Sequence, residues 1–238
     1  MTSIYYNTRK ESLIFVKKFS RLFHKESQPV RKENPVPPAV QKFGANKDDD
    51  EFYQSIENRR SIYVLSKDTV EDDSEILRLM ELTIRSMPTS AHAPSARIVL
   101  LLHDEHDAFW QLTREKMKSI MDYADFTDTQ ARLEMFEHAY GTILFFDDQE
   151  TFSPTHTKSI AGQYNGMLQY LIWVSLEAKG FGASLQHYNP MVNEVVKKRW
   201  DLPSNWDLVA QMPFGRPHEY PNPKEIKPLK DRVVVKDS

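Results

Sequence analysis

The sequence predicts an α+β domain, and three observations carry that prediction. Two continuous apolar runs of strand length, "ARIVLLL" (Ala96–Leu102) and "GTILFFDD" (Gly141–Asp148), mark buried strands. The helical stretches around them do not alternate with strands regularly enough for a doubly wound parallel sheet. A long and mostly apolar helical stretch, "AGQYNGMLQYLIWVSLEAKGFG", halts at Gly180 and Gly182. A helix apolar nearly all round belongs in the middle of a domain or in a dimer interface.

Residues 1–47 stand apart from the rest. Phe15, Val16, Phe19, Leu22 and Phe23 gather on one helical face, with Lys17, Lys18, Arg21, His24 and Lys25 on the other. Such a basic amphipathic helix can lie on a membrane surface or serve as an organelle presequence. Glu11 and Glu26 count against a presequence, and docking on the protein's own surface is the alternative. Pro29, Pro35, Pro37 and Pro38 then form a stiff linker. Residues 48–238 read as the globular unit.

That unit opens with an acidic-start helix, "DDEFYQSIENRRS", whose Phe52 and Ile56 are available to a core, with Ile62 just beyond. "DSEILRLMELTIRSM" places Ile76, Leu77, Met80 and Ile84 on one face, with Ser74 as cap and Pro88 as stop. Ala96–Leu102 is expected to be a central strand. "HDAFWQLTREKMKSIM" and "TDTQARLEMFEHAY" are helices, the second turning Leu133, Phe136 and either Ala139 or Tyr140 inward. "NPMVNEVVKKRWDL" is a helix, "WDLVAQMPFG" ends a third strand, and "RVVVK" is a short terminal strand. Little is left in the chain to pair with "RVVVK", so exchange with a second subunit is expected.

Composition narrows the function. At 238 residues the chain can bury a proper core. A net charge of −3 gives no whole-protein case for nucleic acid. No apolar run approaches the roughly 20 residues that span a bilayer. There are no cysteines, so disulfides, thiolate metal sites and thiol nucleophiles are excluded, and redox chemistry requires a bound cofactor. The expected location is the cytoplasm, or the mitochondrion if the N-terminal helix is a presequence.

Three short motifs carry candidate chemistry. "GASLQHYNP" (residues 182–190) follows the long helix with two small residues, then Gln186, His187 and Tyr188, as a loop facing a flat polar ligand would. "NRRS" (residues 58–61) offers forked guanidinium donors and a hydroxyl to a phosphate, although adjacent arginines at a helix end can equally be solvated partners of its dipole. "HDEH" has metal-like spacing at His103 and His106 but no third ligand, and reads better as a solvated loop. No Walker loop, dinucleotide fingerprint or serine elbow is present.

The order "RRSIYVLSKD", "SARIVLLL…EHDAFW", "YGTILFFDD", "GASLQHYNP", "AQMPFGRP" resembles the nitroreductase family of flavin enzymes over residues 50–236. "GASLQHYNP" and "AQMPFG" match its small fungal and bacterial branch. The resemblance implies an α+β sandwich around a mostly antiparallel sheet, an intertwined homodimer, and FMN in the interface. It implies that Arg59, Arg60 and Ser61, with Tyr63, bind the FMN phosphate, ribitol and pyrimidine edge, and that Lys224 and Lys227 complete the phosphate site. Gln186, His187 and Tyr188 would lie against the isoalloxazine. Relatives carry "SAFNSQSAR" where this chain has "TSAHAPSAR". His92 stands at the flavin-contacting asparagine, Pro94 removes an amide, and Ser95 is kept, which puts cofactor affinity in question.

The activity so implied is FMN-dependent and NAD(P)H-driven. An electron-poor small molecule, a nitroaromatic or a quinone, would be reduced in ping-pong fashion, without acid or base from the protein. The alternative is a catalytically weak or inactive flavin-binding regulatory protein.

Overall fold

The computed structural model describes residues 47–88, 94–223 and 232–236. The N-terminal amphipathic segment and its linker, His92, Lys224 and Lys227 lie outside the described residues. In chain order the elements are α1 (Lys47–Asn58), β1 (Leu65–Ser66), α2 (Asp73–Ser86), β2 (Ala96–Leu102), α3 (Asp104–Ile120), α4 (Tyr123–Glu137), β3 (Gly141–Asp148), α5 (Lys158–Ala178), β4 (Gly182–Ala183), α6 (Asn193–Trp200) and β5 (Trp206–Pro217). The α+β class holds. The strand ladders are antiparallel, in the order β1-β5-β3-β2, with β4 also on β5.

β3 is the spine of this sheet, and every one of its residues is buried. An extended chain sends alternate side chains to opposite faces. Ile143 and Phe145 therefore enter a cluster with α2 and α5, while Leu144 and Phe146 enter another with α3, α4 and α6. Two covered faces explain the unbroken apolar run. Ala96–Leu102 reads the same way for the same reason, yet it is not central. It ends the sheet order, and only Leu101 and Leu102 of it are fully buried. Apolar continuity reports cover above and below a strand, not neighbours at its sides.

Other expectations need smaller corrections. Phe52 points outward and is 60% exposed, leaving Ile62 as the buried residue of that region. Asp72, not Ser74, caps α2: its carboxylate accepts from the Glu75 amide at 3.0 Å, and the Ser74 hydroxyl donates to it. The buried face of α2 runs through Leu79 and Thr83 as well as Ile76 and Met80. "RVVVK" forms no strand, and Val233, Val234 and Val235 are exposed. β-propensity without a partner makes no ladder.

The end of α5 positions the next segment. Gly180 adopts φ 85°, and the Gly180 and Phe181 amides close on the Glu177 and Leu176 carbonyls. This is a Schellman stop, for which a residue without Cβ is suited. It drives Phe181 into the core and delivers Gly182 to the edge of β5.

Candidate functional site

Two motifs far apart in sequence meet at β4. After α1 ends, Ser61 forms a parallel bridge with Ala183, and the Ile62 amide donates to the Ala183 carbonyl at 3.0 Å. Arg59, Arg60, Ser61 and Tyr63 are thereby carried to the strand that begins "GASLQHYNP". Gly182 is small for a local reason. A Cβ there would lie 2.8 Å from Leu65 Cδ2 and 3.1 Å from Ile62 Cβ. The missing side chain lets this strand lie against the chain that follows α1.

The loop after β4 is held by a residue that the sequence reading missed. Gln211, fully buried on β5, exchanges backbone bonds with Gln186 at 2.7 and 3.0 Å. Its side chain accepts from the Tyr188 amide at 2.7 Å and donates to the Asn189 side chain at 3.1 Å. A lone amide inside the apolar "LVAQMPFG" was the available signal. The Ser184, Gln186 and Tyr188 amides all donate to β5. In an extended chain the amides between them, Leu185 and His187, face the other way. Gln186 also donates to the Ser184 hydroxyl at 3.0 Å. His187 is exposed, whereas the Tyr188 ring packs near Trp110 and Phe136, and burial pushes its phenol pKa up. Tyr63 is half exposed, with its ring 6.4 Å from that of Phe136.

The arginines differ in how they are held. Arg60 donates to the Asn222 carbonyl at 3.0 Å. Arg59 lies with its guanidinium carbon 4.4 Å from the centre of the Trp173 ring on α5, and its buried Nε has no hydrogen-bond partner among the described residues. Burial raises the pKa of the nearby Glu177, and the charge of Arg59 opposes that rise. Ser95 is not brought to this group. It sits at the far end of the β2–β3 ladder, where its carbonyl accepts from the Asp148 amide and its buried hydroxyl lacks a partner.

"HDEH" is not a solvated loop. His103 is exposed and pairs with Asp73 at 3.0 Å, but His106 lies on α3 and is fully buried. Among the described residues no group of three potential ligands could hold a metal ion.

Residues 56–216 match the Nitroreductase family. Nitroreductase FRM2 of Saccharomyces cerevisiae is 27% identical over 188 residues, covering 73% of this chain and 91% of the relative. Nitroreductase CinD from Lactococcus lactis, solved with nicotinic acid, superposes with a TM-score of 0.71 at 31% identity, over 78% of this chain and all of that one. A nitroreductase from Desulfitobacterium hafniense with bound FMN shares the fold, with a TM-score of 0.62 at 16% identity, over 79% of this chain and 98% of that one. The sheet order, the meeting of two motifs at β4 and these matches define an oxidoreductase fold. The chain belongs to the nitroreductase family.

Proposed function

We propose that the protein is an FMN-dependent oxidoreductase that draws electrons from NADH or NADPH and passes them to an electron-poor small molecule. The observation that carries this reading is the joining of Arg59, Arg60 and Ser61 to the Gln186–His187–Tyr188 loop across the Ser61–Ala183 bridge. The residues fit the cofactor. An arginine with a buried, unpartnered Nε beside a second arginine suits a phosphate, whose oxygens accept forked donors. Beside them, the exposed His187 and the partly buried Gln186 offer polar groups to the edge of a flat ring.

When bound, FMN would supply the hydride-transfer chemistry that links the nicotinamide to the acceptor. The chain's own work is to bind and orient. Arg59 and Arg60 would anchor the phosphate, with Lys224 and Lys227 joining them. Ser61, Tyr63 and His92 would flank the ring, while Ser95, held at the far end of the β2–β3 ladder, stands outside this group. No acid or base is required of the protein. Structures of Lactococcus lactis CinD with 4-nitrophenol and with chloramphenicol support a nitroaromatic acceptor.

The same reading makes the protein a homodimer with FMN between subunits. Met167 and Tyr170 on the outer face of α5, and Phe52 on α1, are large apolar groups left exposed in one chain. The unpaired Val233, Val234 and Val235 would find their ladder on the partner. Sedimentation of the flavin-loaded protein tests this: a dimer is expected, and a monomer that still holds FMN tightly contradicts it.

A further inference from the structure

Arg59 is a long charged side chain at the end of α1 with a buried Nε and no acceptor among the described residues. Something other than a hydrogen bond must keep it in place. A carboxylate would do so at the cost of its charge and its donors. Glu177 feels the charge of Arg59 but forms no ion pair with it among the described residues. What faces the guanidinium is the Trp173 ring, 4.4 Å away. Trp173 is itself steadied by packing on the cluster between α5 and the sheet. A ring attracts the cation through its quadrupole and uses no N–H, so it takes none of the guanidinium's terminal donors from an incoming anion.

We infer that Trp173 is a positioning residue: its indole face holds the Arg59 guanidinium ready for the phosphate of FMN. This rests on the flavin reading above and adds to it a residue on a different element that never touches the phosphate. It also explains why an aromatic of this size stands at this point of α5. Tryptophan gives the strongest such contact, phenylalanine a weaker one and leucine none.

The test compares FMN with riboflavin, which has the same ring but no phosphate, by fluorescence titration of the purified protein. Trp173→Leu should weaken FMN binding by about tenfold, as a desolvated cation–π contact would, and leave riboflavin binding unchanged. Trp173→Phe should recover most of the loss. In an Arg59→Ala background Trp173→Leu should have no further effect. If Trp173→Leu does not fold, a small FMN-only loss in Trp173→Phe takes its place. Equal losses for both ligands would make Trp173 a packing residue and overturn the inference. So would a wild type that binds FMN and a Trp173→Leu variant that binds it as well. A wild type that takes up no FMN at all overturns the flavin reading itself, and this inference with it.

Discussion

Two polar clusters in this molecule behave oppositely in the fold. One is His106, Thr142 and Trp110, closed inside the layer of α3 and α4 on β3. The other is Arg59, Arg60 and their neighbours at β4. In the first, a single arrangement of protons satisfies every group. The Trp110 indole donates to the Thr142 oxygen at 2.9 Å, the Thr142 hydroxyl donates to His106 Nδ1 at 2.9 Å, and His106 Nε2 donates to the Glu137 carbonyl at 3.3 Å. In the second, a charged donor is buried with no acceptor among the described residues. A satisfied interior network is structure. Donors held but not satisfied are what a site for an anion requires.

The largest expected effect is at the open cluster. Arg59→Ala should cost roughly 2–5 kcal/mol of FMN binding, the range for truncating a buried charge-assisted contact. Flavin content after dialysis reads this directly, while the melting temperature of the apo-protein should hardly move. Unchanged flavin content would reduce "RRS" to a helix end.

At the closed cluster the effect is on stability and follows pH. Burial holds the imidazole of His106 neutral and lowers its pKa from 6.5 to about 4. The folded state therefore binds fewer protons than the unfolded chain between those values. Stability is complete above pH 6.5 and falls as pH drops through the window, by up to roughly 3 kcal/mol at its lower end. His103 has the opposite sign, because its hydrogen bond to Asp73 raises its pKa. Its contribution is present below pH 6.5 and is lost as pH rises through the folded value, and exposure keeps it small. Urea midpoints across this range should fall less steeply for His106→Gln than for wild type. Parallel curves would remove His106 from the account.

Thr142→Val should come next, at about 1–3 kcal/mol of stability, since it leaves both His106 and Trp110 without their partner. FMN affinity should not change, which is the sharpest contrast with Arg59→Ala. A variant that loses flavin with its stability intact would mean that the two clusters are coupled. The smallest effect is expected from removing residues 1–47, which lie before the family match at 56–216. Flavin binding and turnover should persist, and a colourless truncated protein would show that the N-terminal segment supports the site.

Part of this was legible in the sequence. The strands Ala96–Leu102 and Gly141–Asp148 stand at their predicted boundaries, because apolar runs ending in polar residues report burial directly. The lateral order of strands was not legible, since the run at Ala96 looks the same at the end of a sheet as in its middle. "RRS" and "GASLQHYNP" each suggested a ligand, but their meeting through Ser61 and Ala183 depends on the chain path. Trp173 was hidden because it sits in an apolar stretch and reads there as core, whereas Gln211 stood out only as the lone amide of its run, with its partners in a different segment. His106 was misread because its partner Thr142 is 36 positions away. Spacing within "HDEH" carries no trace of it.

The central claim is that this fold holds FMN and uses it. An absorbance spectrum of the purified full-length protein, taken before and after anaerobic addition of NADH or NADPH, addresses it most directly. The account predicts a yellow protein whose flavin bands bleach on reduction and return with a nitroaromatic or quinone. A colourless protein that takes up no added FMN would contradict it. Bands that persist in the presence of both nucleotides would leave a flavin-binding protein that is not an enzyme.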